Sequence, residues 1–309
     1  MNSACVHCAV CGNPTKGTAW SHRVYSTLCA AQVACFTALE SVNQTRGLMP
    51  KAMKLDGQVA IISGSAVGIG RGIALGLASQ GVHIIALDID IIENAETAKQ
   101  VRALGRDCMD LHCDIGDGAS VVRTINAAAA RFGRIDILIN NAALWLDCSL
   151  TSGTFDSQTE NFARSMNVCA LGSFHCACAA TPWLQRQGGN IVNIITEHIK
   201  EGHYITGRPA TGYDCAKFSQ WRLTESWADE LAPFDIRVNG LCFGATDTPM
   251  LRSAAPQIAD KAMKTEDLAR AVLNVIAHGK GGPTGQTFLF GTSGSAREDS
   301  LEQIAALAP

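Results

Sequence analysis

Tyr213 and Lys217 stand four apart at the start of an apolar, helix-like run that includes Phe218, Trp221 and Leu223. Residues at that spacing stack on one face of a helix. An ammonium group held near a phenol favours the phenolate, so the pair is expected to draw the tyrosine's pKa down from about 10. The phenol would then give or take a proton near neutral pH. The same spacing also arises by accident in ordinary helices, and the pair alone does not separate the two readings.

A second candidate lies upstream. The stretch SGSAVGIG places Gly64, Gly68, Ile69 and Gly70 directly after the β-branched run QVAIIS and before a helix-like segment. Glycines in that context allow a sharp turn and let a pyrophosphate approach the free N–H groups of a helix N-terminus. Asp88 ends the next strand-like run, VHIIALD. A carboxylate there accepts hydrogen bonds from the ribose hydroxyls of NAD and repels the extra phosphate of NADP. Leu87 and Ile89 beside it are apolar, and no Lys or Arg precedes Gly70 in the turn. NAD(H) is therefore expected in preference to NADP(H). A helix cap or a solvated turn is the structural alternative for Asp88.

The elements that must position these groups follow from the apolar pattern. Short runs QVAIIS, VHIIALD, DLHCD, IDILINNA, NIVNII and IRVNGLCFG alternate with helix-like sequence, and two helices look long, roughly Asp156 to Gln187 and Tyr213 to Leu231. Strands alternating with helices predict a parallel sheet covered on both faces. One doubly wound α/β domain over residues 53–309, opening at MKLDGQVAIISG, accounts for the pattern without a linker or repeat.

The chain has 309 residues, 47% hydrophobic and 17% charged, with a formal net charge of -3. That is ample material for a core and offers no basic field for nucleic acid. The longest apolar stretch near the N-terminus, Leu28 to Leu39, is too short for a membrane span and is interrupted by Gln32. Thirteen cysteines are present, with Cys5, Cys8, Cys11, Cys29 and Cys35 crowded near the N-terminus and others, such as Cys169, Cys176, Cys178 and Cys242, scattered in apolar contexts. The odd count and the lack of a signal-peptide pattern predict a reduced, cytoplasmic protein. CVHCAVC, with His7, could offer soft ligands to zinc, but no second cluster completes the pattern and no metal site is expected. Residues 1–52 carry Glu40 against Lys16, Arg23, Arg46 and Lys51, which would also suit a targeting segment. They are read as a poorly ordered extension or an over-long start assignment.

Taken together, these motifs resemble the short-chain dehydrogenase/reductase family over essentially all of residues 53–309. Gly64, Gly68 and Gly70 match its G-xxx-G-x-G turn, with Ser63 where threonine is usual. Asp88 matches its ribose-binding acid, Asp114 and Ile115 its adenine-contacting pair, and Asn140 to Ala143 its N-N-A-G, with Ala143 replacing the glycine. Asn167 in MNVCALG corresponds to the catalytic asparagine, Tyr213 and Lys217 to Y-xxx-K, and IRVN with FGATDT to the segment under the nicotinamide. Within that segment Gly244 and Thr248 would meet the cofactor, and Asn141 would line its site. The catalytic serine aligns with Thr196, further from Tyr213 than is usual, and Phe243 replaces a common proline.

The resemblance implies a Rossmann fold and an NAD(H)-dependent oxidoreductase that interconverts a secondary alcohol and a ketone. Tyr213 would be the general acid/base, Lys217 would stabilise the phenolate and hold the nicotinamide ribose, and Thr196 would hold the substrate oxygen. Asn167 would anchor a water that relays the proton from Lys217. Trp145, His198, His203, Tyr204, Met250 and Leu251 are candidate pocket walls, and their character suggests a hydrophobic or cyclic substrate. The short stretch between Thr248 and a helix near Thr265 predicts a small lid. The family's usual assembly implies a homodimer or homotetramer through the two long helices. The alternative is a catalytically weak NAD-binding sensor or scaffold, which would be expected to lose Tyr213 or Lys217. An epimerase-like use of bound NAD would bring a differently spaced glycine turn and a larger C-terminal region.

Overall fold

Val59–Ser63 (β1) is buried along its whole length, as a strand inside a parallel sheet must be. Its alternation splits the core. Val59 and Ile61 pack on one side of the sheet, and Ala60 and Ile62 on the other. The computed structural model describes residues 55–199, 209–290 and 297–309. After β1 the chain forms α1 (Gly68–Ser79), β2 (His83–Asp88), α2 (Ile91–Ala103), β3 (Cys108–His112), α3 (Gly118–Phe132) and β4 (Ile137–Asn140). It continues through α4 (Phe155–Met166), α5 (Gly172–Leu184), β5 (Gly189–Thr196), α6 (Thr211–Leu231) and β6 (Ile236–Phe243). Two short helices, α7 (Pro249–Ala254) and α8 (Pro256–Ala259), precede α9 (Thr265–Ile276), β7 (Thr287–Phe290) and α10 (Arg297–Ala306).

The seven strands order as β3-β2-β1-β4-β5-β6-β7, and every pairing is parallel. Helices α1, α2 and α9 cover one face through residues such as Ala74, Ala98 and Leu268. Helices α3, α5 and α6 cover the other through Ile125, Ala180 and Trp227. This is the expected doubly wound α/β, or Rossmann, architecture. The strand order reverses between β1 and β4, which opens a crevice at the carboxyl ends of the strands.

Local chemistry fixes the helix starts. The Asp90 carboxylate accepts from the N–H groups of Ile92 and Glu93, and Asp117 does the same for Ala119 and Ser120. Thr154 and Ser157 form a reciprocal capping box at α4. Helix α1 differs: its N-cap residue is Val67, which has no side-chain oxygen to offer. Its first-turn N–H groups therefore receive no cap from that residue and are available to an anion.

Two elements depart from expectation. The long helix expected from Asp156 to Gln187 is broken by a π-helical turn, Asn167–Leu171, between α4 and α5. A π turn keeps helical periodicity to within one extra residue, so it leaves little mark on an apolar pattern. The seventh strand, β7, was not among the six expected runs. It is four residues long and only Phe290 is fully buried, as suits a short edge strand. Expectations for residues 1–52 lie outside the described residues.

Candidate active site

The crevice at the strand ends forms a cavity of about 1150 Å³. Nearly every anticipated site residue lines it: Gly64, Gly68, Ile69, Asp88, Asp114, Ile115, Asn141, Asn167, Thr196, Tyr213, Lys217, Gly244 and Thr248. Gly70 does not line it and acts one layer behind.

The glycine turn is built for close approach. Gly64 and Gly68 have φ of 67° and 57°, a region that costs other residues strain. A Cβ on Gly70 would run into the backbone carbonyl oxygen of Gly64 and lie 2.7 Å from Asn141 Nδ2. Asn141 braces the turn by donating from Nδ2 to the carbonyls of Ser63 and Gly64, at 3.0 and 2.9 Å. Ser63 keeps the hydroxyl that a threonine would supply, and its Oγ accepts from the backbone N–H of Asn141 and of Ala142, both at 3.1 Å. Asp88 also holds the turn, since its carboxylate accepts from Ala66 N at 2.9 Å and from Asp90 N at 3.0 Å. Arg71, the nearest cation in sequence, is turned away to Glu93, Thr97 and the Ala66 carbonyl. A turn kept free of Cβ atoms, an uncapped helix start and a carboxylate at the end of β2 fit a dinucleotide.

At the other end of the cavity, β5 delivers Thr196, the first turn of α6 delivers Tyr213 and its second turn delivers Lys217. Thr196 hydrogen-bonds to Tyr213. The Lys217 ammonium, buried like the phenol, donates to the Ile194 carbonyl at 2.8 Å and lies 5.7 Å from the centre of the Tyr213 ring. Burial pushes the Tyr213 phenol above its usual value of 10, while the Thr196 hydrogen bond acts in the opposite direction. Burial pushes Lys217 down. The expectation that the lysine draws the phenol below 10 is therefore not met: desolvation is the largest effect on the phenol, and the opposing one comes from Thr196. Both groups are poised in their uncharged direction.

Asn167 opens the π turn, exposed to the cavity, with Nδ2 3.5 Å from the Gly116 carbonyl. Thr248 caps α7 by accepting from Leu251 N at 3.2 Å, which leaves its O–H free to donate. Phe243 stacks on Phe290 with ring centres 5.6 Å apart, and this pair fills the floor where a proline was expected. Beyond Thr248, Asp247 pairs with Arg252 and Lys264 at 2.7 and 2.8 Å and ties the short α7–α8 segment to the start of α9.

Of the candidate walls, Trp145, His198, Met250 and Leu251 line the cavity; His203 and Tyr204 lie outside the described residues. Sequence reasoning missed Arg164 and Lys261, two exposed cations at the lining. It also missed how tightly Tyr213 is walled. Trp145 stacks on it at 5.3 Å and 15°, and His198 stands edge-on at 6.1 Å. His198 is in turn bonded through Nδ1 to Asp214, at 2.7 Å. Only the proximity of His198 and Asp214 to two site residues in the sequence could have signalled that bond. Among the described residues no cluster of His, Cys, Asp or Glu is arranged to hold a metal, and the eight described cysteines are free thiols. No described helix is long and apolar enough to cross a membrane.

The chain is similar to known proteins in sequence and in fold. The family model described as short chain dehydrogenase matches residues 58–259. A 7alpha-hydroxysteroid dehydrogenase of Escherichia coli K12 is 28% identical over 219 residues, 71% of this chain and 83% of that protein. A trans-4-hydroxycyclohexanecarboxylate dehydrogenase of Sinomonas cyclohexanicum is 32% identical over 199 residues, 62% of this chain and 74% of its own length. Among solved structures, an NAD+-bound xylitol dehydrogenase shares the fold with a TM-score of 0.68 at 23% identity, over 77% of this chain and 98% of that one. The chain thus belongs to the short-chain dehydrogenase family of oxidoreductases.

Proposed function

We propose that this enzyme is an NAD(H)-dependent dehydrogenase that interconverts a secondary alcohol and a ketone on a hydrophobic or cyclic substrate. One observation carries the reading: Thr196, Tyr213 and Lys217 meet in the cavity that also holds the glycine turn and Asp88. A bound nicotinamide would supply the hydride acceptor and, when oxidised, a positive ring charge that favours the phenolate. The chain's own residues do the rest. Gly64, Gly68, Ile69 and the N–H groups of α1 hold the pyrophosphate, with Gly70 keeping the turn open behind them. Asp88 takes the adenosine ribose, and Asp114, Ile115 and Asn141 line the adenosine side. Gly244 and the Thr248 hydroxyl hold the carboxamide.

In oxidation, the substrate hydroxyl sits between Thr196 and Tyr213. Thr196 donates to its oxygen and orients it, and the Tyr213 phenolate takes its proton. Lys217 steadies the phenolate by charge and passes the proton outward through a water held at Asn167. General acid/base help of this kind is worth about 10²- to 10⁴-fold. The relatives' alcohols, a hydroxysteroid and a hydroxycyclohexane carboxylate, suit walls made of Trp145, Met250 and Leu251. We place the domain boundary at Met53 and the protein in the cytoplasm as a homodimer or homotetramer.

The test is initial rates on a panel of cyclic secondary alcohols, each with NAD and with NADP. Asp88 should give NAD the higher kcat/KM by roughly tenfold or more, the equivalent of one charge-assisted hydrogen bond. Equal or reversed preference would sink the NAD assignment.

A further inference from the structure

Helix α6 carries Tyr213, while Thr196 closes β5, a separate element. Thr196 is followed by the turn Glu197–Ile199, and Pro209 and Ala210 lead directly into α6. A connection of that length does not by itself fix how far apart its ends sit. Pro209 and Thr211 are held instead to the segment after β4: Cys148 N donates to the Pro209 carbonyl at 2.8 Å, and Thr211 Oγ1 donates to the Cys148 carbonyl at 3.2 Å. Lys217 ties α6 to β5 one turn deeper.

Beside the hydrogen bond between Thr196 and Tyr213 themselves, a second bond joins the two elements at this level, His198 to Asp214. His198 follows Thr196 by one intervening residue, and Asp214 follows Tyr213 directly. Their side chains meet at 2.7 Å, with the imidazole 8% exposed and the carboxylate 37%. A carboxylate only accepts, so Nδ1 of His198 carries the hydrogen and the tautomer is set. The ring is further fixed by edge-on contacts with Trp145 at 5.8 Å and with Tyr213. A charge-assisted bond of this kind is among the stronger hydrogen bonds.

We propose that His198 and Asp214 form a clamp that sets the separation of the Thr196 and Tyr213 hydroxyls. They are positioning residues for the reaction, acting through Thr196 and Tyr213 rather than on the substrate. The proposal rests on the dehydrogenase reading above. Its logic is that the carbinol oxygen must fit both hydroxyls at once, and a misplacement of about 1 Å in such an arrangement costs roughly 100-fold.

Asp214→Ala, Asp214→Asn, His198→Gln and the Asp214→Ala/His198→Gln double variant test this in the full chain, with Tyr213→Phe alongside. The clamp predicts that Asp214→Ala lowers kcat about 10- to 100-fold, by the same factor for every alcohol turned over. KM for alcohol and cofactor should move less than about threefold. The double variant should be no worse than the worse single, because the two residues act as one unit. Asp214→Asn should recover most of the rate, since its amide oxygen still accepts from Nδ1.

Additive losses, or unchanged kcat in Asp214→Ala, would overturn the clamp. So would a loss that varies from one alcohol to another, which would make His198 a substrate contact. Turnover surviving in Tyr213→Phe would instead remove the dehydrogenase mechanism itself. A measurement independent of turnover accompanies these: the imidazole nitrogen and proton spectrum of the histidine-labelled protein. A hydrogen-bonded Nδ1 proton that disappears in both His198→Gln and Asp214→Ala supports the clamp, and its absence from the parent overturns it.

Discussion

Tyr213 is the residue on which the account turns, and its setting differs from the simple picture of a lysine-activated phenol. It is buried beneath Trp145, and burial holds its proton. In the proposed mechanism oxidation needs that proton gone, so the competent fraction rises with pH. We predict that kcat/KM for alcohol oxidation climbs about tenfold per pH unit below the phenol's pKa, and that ketone reduction, which uses the protonated form, stays flat over the same range. Rates in both directions across the neutral-to-alkaline range check this. A flat oxidation profile would contradict it. The sequence could show that Tyr213 and Lys217 share a helix face, because spacing alone determines that. It could not show the balance between charge and desolvation, because Trp145, Thr196 and Cys169 arrive from three other elements.

Elements were legible in proportion to how much of them is buried. Strands β1, β2, β4, β5 and β6 have interiors buried on both sides and read as mainly apolar runs, interrupted in β5 and β6 by Asn190, Asn193, Arg237 and Asn239, so their existence followed from the pattern. β3 lies a little earlier than DLHCD suggested, and β7 was missed because an edge strand of four residues has no such run. β7 nevertheless depends on a feature that no local pattern announces. Arg237 is buried in β6 and donates to the carbonyls of Val275, Ile276, His278 and Pro283. It thereby closes the C-terminal end of α9 and the chain leading back to β7. Burial lowers its pKa to about 10, still well above neutrality, so it stays charged in use. Arg237→Met would leave those carbonyls without their donor and should destabilise the fold by about 3 kcal/mol. Denaturant unfolding measures that directly, and a loss below about 1 kcal/mol would mean that other donors replace it.

At the scale of the molecule, the crevice between β1 and β4 explains why one fold can hold both halves of the chemistry: the strand ends bring the glycine turn and the α6 pair to a shared cavity. The glycine turn, Asp88 and the Y-xxx-K pair were visible in the sequence because each is a local motif with its own mechanism. The His198–Asp214 bond, the Trp145 stack and the cations Arg164 and Lys261 were not, because tertiary contact alone assembles them. The outer surface carries a further expectation. Leu171, Phe174 and Phe218 are each about half exposed and lie on the π turn, α5 and α6. Exposed apolar side chains of this size suit an interface, consistent with the proposed homodimer or homotetramer. A Phe174→Glu/Phe218→Glu variant should shift sedimentation toward the monomer at micromolar concentration, and an unchanged profile would put the interface elsewhere.

The central claim is that Tyr213 moves the substrate proton, and one comparison tests it most directly. Parent and Tyr213→Phe proteins, both shown by fluorescence titration to bind NADH, are given NAD and a cyclic secondary alcohol that the parent oxidises. If Tyr213 moves the proton, the variant keeps equal NADH affinity and its kcat falls about 10²-fold or more. NADH formation at the parent's rate by Tyr213→Phe would contradict it.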